Sequence, residues 1–113
     1  MHCLFCKIIQ KEIPATLCLE EEDLIVIQDI KPQAPTHLLI LPKKHIATIN
    51  QVTNEDTGLL GNMVIAAKTI AHTKQLDEFG YRLVFNINAG GGQDVYHIHL
   101  HLLGGRQMTW PPG

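Results

Sequence analysis

A chain of 113 residues has enough material for one hydrophobic core. Hydrophobic residues make up 45% of it, charged residues 18%, and the formal net charge is -2, which excludes the strongly basic surface of a general nucleic-acid binder. No stretch approaches the roughly 20 apolar residues of a membrane span. The opening segment, interrupted by Lys7, is not expected to act as a signal peptide, and the odd count of three cysteines fits reduced thiols in the cytoplasm.

Leu4, Phe5, Ile8 and Ile9 recur at helical spacing and predict a short amphipathic helix over 4–10, closed by Ile13-Pro14. Thr16 to Glu20 and Leu24 to Asp29 read as a hairpin through the acidic turn Glu21-Glu22-Asp23. Lys31-Pro32-Gln33-Ala34-Pro35 is a loop, and Thr36 to Leu41 a buried strand that starts at His37 and ends at Pro42. After Lys43-Lys44-His45, Thr53 with Asp56 three residues on forms a capping signal for the one long helix. Its apolar stripe is Leu60, Met63, Val64, Ala67, Ile70 and Ala71. Gly58 and Gly61 cost about 1 kcal/mol each inside a helix relative to alanine. They either admit another backbone, from this chain or a second copy, or are tolerated near the first turn.

Tyr81 to Asn88 is a further strand, Ala89-Gly90-Gly91-Gly92-Gln93 a flexible turn, and Val95 to Leu103 the last strand. This order predicts an α+β domain over 1–113: a five-stranded antiparallel sheet with one long and one short helix, both helices against one face. Residues 104–113 form an irregular C-terminal tail with the only tryptophan, Trp110, suited to docking on a partner subunit or to lying as a lid on its own chain.

The last strand carries an imidazole at every second position: His97-Ile98-His99-Leu100-His101-Leu102-Leu103. Period-two alternation puts His97, His99 and His101 on one face, looking into a cleft, and Ile98, Leu100 and Leu102 on the core face. Each imidazole brings a donor and an acceptor that burial would leave to be satisfied, so a purely structural strand gains little from them. Two chemistries suit the row. Alternating strand histidines can share a metal ion with a further ligand, or a neutral imidazole can act as nucleophile while a second stabilises phosphoryl charge, beside a glycine turn that presents N–H groups to a phosphate.

The His-x-His-x-His-x-x run with apolar x resembles the signature of the histidine triad superfamily. Phe5-Cys6-Lys7-Ile8-Ile9, Asp29-Ile30, Pro32 to His37, Pro42-Lys43-Lys44-His45, Gly91-Gly92-Gln93, Gly104 to Met108 and Trp110-Pro111-Pro112-Gly113 are similar to its nucleotide-binding protein branch, so the resemblance spans nearly the whole chain. It implies a cytoplasmic purine nucleoside phosphoramidase that hydrolyses the P–N bond of adenosine 5'-monophosphoramidate-type substrates. It also implies a homodimer whose two sheets join edge to edge into ten strands, with no nucleic-acid or membrane partner. His99 would be the nucleophile, His101 would contact the phosphate, His97 would support the nucleophile through its carbonyl, and His37 would join the relay. Asp29 would hold the ribose, and Phe5, Ile8, Ile27 and Ile30 the base. Asn86, Gly92, Gln93 and Asp94 fall where the family binds phosphate and leaving group.

Two departures from well-known animal members stand out. Asp94 replaces a serine, and an ionised aspartate cannot donate to the phosphate or leaving group and repels an anion. Cys3-x-x-Cys6 suits two ligands of a zinc, and some bacterial members complete such a site with residues matching His45 and His97. The set Cys3, Cys6, His45 and His97 is thus either a structural zinc site or, at its N-terminal end, a pair of reduced thiols. The resemblance implies no cofactor for catalysis. Three rival readings remain at this stage: a zinc-dependent hydrolase using the triad as ligands, a dimeric regulatory module with little catalysis, and a dinucleoside polyphosphate hydrolase.

Overall fold

The computed structural model describes residues 3–113. Helix α1 (Leu4–Ile9) is followed by strands β1 (Leu17–Glu20), β2 (Leu24–Gln28) and β3 (Thr36–Pro42), helix α2 (Thr57–Thr73), then β4 (Tyr81–Phe85) and β5 (Leu100–Gly104). The strands form one antiparallel sheet in the order β1-β2-β3-β5-β4. The α+β class, the strand count and the pair of unequal helices are those the sequence predicts. Among the described residues no helix is long and apolar enough to cross a membrane.

The helices lie on opposite faces of the sheet, not on one as expected. Leu24-Ile25-Val26-Ile27 and Leu38-Leu39-Ile40-Leu41 are buried at every position, so both faces of the central strands need cover, as continuous apolar runs require. On one face Val26, Ile40, Leu100 and Leu102 pack against Met63, Ala66, Ala67 and Ala71 of α2. On the other, Ile25, Ile27, Leu39 and Leu41 pack against Phe5 of α1. Each fully buried Leu or Ile contributes roughly 1.5–3 kcal/mol through removal from water.

Helix α2 begins as its sequence indicates. The Thr53 hydroxyl and the Asp56 carboxylate form a reciprocal capping box across a short 3-10 turn, Asn54–Asp56, and Lys44 Nζ holds Asp56 at 2.7 Å. Val64 departs from the expected stripe: it is exposed and Ala66 is buried in its place. A Cβ added at Gly58 or Gly61 meets nothing within 4 Å outside its own helix, so among the described residues no other backbone approaches them.

The histidine run differs in one respect from a uniform strand. Ladder pairing starts only at Leu100, and residues 97–99 form a lead-in outside the ladder, bent at His97 and tied to the His45 segment by Ile98 N–H donating to the Ile46 carbonyl at 2.8 Å. That single bond sets His97 beside His45.

Candidate functional site

Register builds the site. His37 lies opposite Leu103 and Leu39 opposite His101, so His37 and His101 are diagonal neighbours on the α1 face, within reach of each other's rings. Asp29, one residue past the end of β2, joins the row because its N–H donates to the His37 carbonyl at 3.0 Å. Residues 97–99 deliver His99 to the same face, where its ring meets Phe5 edge-on at 5.0 Å between centroids.

Hydrogen-bond partners assign every tautomer in this row, two from the backbone and one through His37. The Gln33 N–H donates to His37 Nδ1 at 3.0 Å, so the proton of the neutral His37 ring sits on Nε2. That Nε2–H faces His101 Nδ1 at 2.9 Å and Asp29 Oδ2 at 3.4 Å. His101 must then accept on Nδ1, which leaves its Nε2–H as a donor. His99 Nδ1–H donates to the His97 carbonyl at 2.8 Å, leaving a lone pair on Nε2. Burial lowers the His37 pKa, with Asp29 opposing. Burial, then the charges of His99 and His37, pull His101 down to about 4. The row holds one nucleophilic nitrogen beside a neutral hydrogen-bond donor, which is what attack on a phosphoryl group followed by stabilisation of its oxygens needs.

His97 does not look into the cleft, contrary to the expectation for three histidines in alternation. Its ring is 0% exposed, and its Nε2–H donates to the Pro42 carbonyl at 2.7 Å. Its pKa is lowered by burial, against that bond. The remaining Nδ1 lone pair faces Cys3 Sγ at 3.5 Å, Cys6 Sγ at 3.5 Å and His45 Nδ1 at 3.2 Å. Cys6 Sγ is also 3.4 Å from His45 Nδ1. Around a tetrahedral zinc with bonds of about 2.3 Å to sulfur and about 2.05 Å to nitrogen, the edges are about 3.5 Å for S···N and about 3.3 Å for N···N. Four of the six donor pairs already stand near those separations, all four donor atoms lie within 4.8 Å of one another, and the Pro42 carbonyl fixes the ligating tautomer of His97 as an outer-shell partner does. Burial, then Cys3, pushes the Cys6 thiol up to about 11, so this sulfur stays protonated unless a cation offsets its charge. The donor set fits zinc.

A cavity of about 510 Å³ opens over the row. Of the residues expected at the nucleotide, Phe5, Ile8, Ile27, Asp29, Ile30, Asp94, His99 and His101 line it, as does His37. Asn86, Gly92 and Gln93 lie outside its wall, with their hydrogen bonds engaged in holding the turn. Asn86 Nδ2 donates to the Gly91 carbonyl at 2.8 Å. The buried Gln93 amide accepts from Asn88 N–H at 2.8 Å and donates to the carbonyls of Ala47 at 2.7 Å and Val95 at 3.1 Å. The N–H groups of Gly91, Gly92 and Gln93 close onto Asn88 and Ala89, not outward toward an anion. Sequence reasoning missed the wall formed by Leu4, Ile13, Pro14, Ala15, Leu39 and Val95, and the backbone groups of Gln33 and Pro42. Backbone partners leave no residue-type signal, although Gln33 does sit between two prolines. Trp110 is 82% exposed and lines no part of the cavity, so within this chain it is not a lid.

Residues 2–110 match the family described as scavenger mRNA decapping enzyme C-term binding. An uncharacterized HIT-like protein of Synechococcus elongatus is 47% identical over 110 residues, covering 97% of this chain and 96% of that relative. The crystal structure of a HIT family hydrolase from Legionella pneumophila superposes with a TM-score of 0.98 at 67% identity, covering 99% of this chain and 100% of that one. A zinc-bound histidine triad family protein from Mycobacterium smegmatis is similar with a TM-score of 0.83 at 30% identity, over 94% of this chain and 76% of that one.

Proposed function

The chain belongs to the histidine triad superfamily, and on that premise we propose that it is a purine nucleoside phosphoramidase acting through a nucleotidyl-histidine intermediate. One observation carries the reading: His99 Nε2 is left with its lone pair on an apolar cavity because Nδ1–H is committed to the His97 carbonyl. A purine lies against Phe5, Ile8, Ile27 and Ile30, and Asp29 turns from His37 to the ribose hydroxyls.

In the first step His99 Nε2 bonds to phosphorus as the P–N bond breaks. The bonding pair goes to the amine nitrogen, which leaves with a proton from solvent. In the second, water attacks phosphorus, the His99–phosphorus bond breaks, its pair returns to Nε2, and the proton of water passes to solvent. Throughout, His101 Nε2–H donates to a phosphoryl oxygen, held in that tautomer by His37 and Gln33. Cys3, Cys6, His45 and His97 would hold one zinc, which when bound cross-links α1 to the sheet, and the imidazoles carry the reaction.

We take the working form to be a cytoplasmic homodimer, because β4 ends the sheet with one unpaired edge and a second copy there continues the ladder. The decapping description of the matched family favours one second reading, hydrolysis of a dinucleoside polyphosphate, which uses the same nucleophile with a phosphate leaving group.

The test is hydrolysis of adenosine 5'-monophosphoramidate by wild type and His99→Ala, with and without chelator, trapping acid-labile nucleotidyl-protein at short times. Turnover should survive brief chelation, fall by about a thousandfold or more in the variant, and pass through the trapped adduct. Purine nucleotide binding without turnover would refute the enzyme reading in favour of a regulatory dimer, and faster hydrolysis of diadenosine polyphosphates would move the substrate class.

A further inference from the structure

The cavity floor carries a row of ionisable side chains with a carboxylate at each end. Asp94 Oδ1 is 4.0 Å from His99 Nε2, the His99 and His101 rings are 4.9 Å apart, and His37 and Asp29 follow at 2.9 Å and 3.4 Å. The end carboxylates differ in circumstance. Asp29 is 19% exposed, with Oδ2 on His37 and Oδ1 accepting from the Lys31 N–H at 2.8 Å. The Asp94 side chain is 84% exposed, and no lysine or arginine among the described residues pairs with it. Its Oδ1 accepts from the Val95 N–H at 2.9 Å, which holds the carboxylate on the nucleophile's side of the mouth.

We propose that Asp94 selects the leaving group: it favours phosphoramidates whose departing amine bears a further positive charge and disfavours anionic leaving groups. This rests on the phosphoramidase reading of the site. With the nucleoside against the Asp29 end, the leaving group extends toward the open end, where Asp94 is the charged residue beside the nucleophile. In-line displacement puts the leaving nitrogen about 5 Å from Nε2, across the phosphorus. The carboxylate therefore meets a charge carried on a short arm, not the departing nitrogen itself. A unit charge about 6 Å from the carboxylate, at an effective dielectric between that of a protein surface and water, changes affinity by about threefold to tenfold. Salt weakens the effect because the pair is exposed. The same field opposes a phosphate leaving group, so Asp94 also sets the site against polyphosphates.

The experiment compares kcat/KM for three adenosine phosphoramidates whose leaving amines carry a three-carbon arm ending in an ammonium, a hydroxyl or a carboxylate. Wild type should rank them in that order, about tenfold or more separating the ends. Asp94→Asn, whose amide oxygen can still accept from Val95, should bring the ratios near one, and Asp94→Lys should reverse the order. A parallel arm measures the dissociation constants of adenosine phosphodiesters bearing aminopropyl or hydroxypropyl groups, which need no turnover. Normal turnover with the same ratios in wild type and Asp94→Asn overturns the selector and leaves the phosphoramidase standing. Absent turnover with aminopropyl-selective binding that Asp94→Asn abolishes overturns the reaction and keeps the selector. Absent turnover with equal binding of the two diesters overturns both.

Discussion

His37→Ala tests whether the relay sets the protonation pattern of the site. His37 is buried and makes two bonds that matter, accepting from the Gln33 N–H at 3.0 Å and facing His101 Nδ1 at 2.9 Å. Its loss leaves one donor of the Gln33 loop without a partner and frees His101 to carry its proton on either nitrogen. A buried neutral hydrogen bond contributes about 0.5–1.5 kcal/mol net, and a donor left unsatisfied costs about 1–3 kcal/mol. The folded state should therefore lose about 2 kcal/mol by urea denaturation, moderated by water entering beside Asp29. If His101 donates to phosphoryl oxygen chiefly in the transition state, about 1–1.5 kcal/mol of that donation disappears, a five- to twelvefold drop in kcat with KM changed less than twofold. A variant with unchanged kcat would refute the relay. An increase confined to KM would assign His37 to substrate binding instead.

Zinc should be present at about one equivalent per chain by elemental analysis, and Cys3→Ser or Cys6→Ser should abolish it and lower Tm by several degrees; metal-free wild type with unchanged Tm on adding zinc would rule the centre out. Acid should destabilise the fold. His101, held near 4 against an ordinary 6.5, and His37, also lowered, take up protons on unfolding, so their contribution is complete above pH ~6.5 and is lost as pH falls toward ~4. The full His101 shift corresponds to about 3 kcal/mol, reduced to about 1–2 kcal/mol because the ring is partly exposed; a stability profile flat between pH ~6.5 and ~4 would contradict this. Gln93→Ala should lower stability by about 2–3 kcal/mol by removing the bonds that hold the glycine turn, while KM for nucleotide rises less. A large rise in KM at unchanged Tm would show that Gln93 touches the phosphate.

What could be read from the sequence is what depends on neighbours along the chain. Alternation in Ile98-His99-Leu100-His101-Leu102 separates core from site along β5 and the two residues before it, and Ile98, Leu100 and Leu102 are buried together. The Thr53 and Asp56 signal places the start of α2, and the triad with its flanking motifs led to His99 and His101, both on the cavity. Three outcomes required partners far apart in sequence. His97 shares the period of its neighbours but is drawn beneath α1, because Ile98 is tied to Ile46 and the Pro42 carbonyl takes its Nε2–H. The glycine turn reads as an anion cradle, yet its N–H groups point inward, because the Gln93 amide anchors the turn to Ala47, 46 residues away. The helices read as sharing a face, whereas strands apolar at every position demand one helix on each side. Periodicity is a property of one strand and was legible from residue types alone. Which tautomer, which lone pair and which face are decided by backbone groups brought together across the sheet, and those groups are chemically alike in every residue but proline.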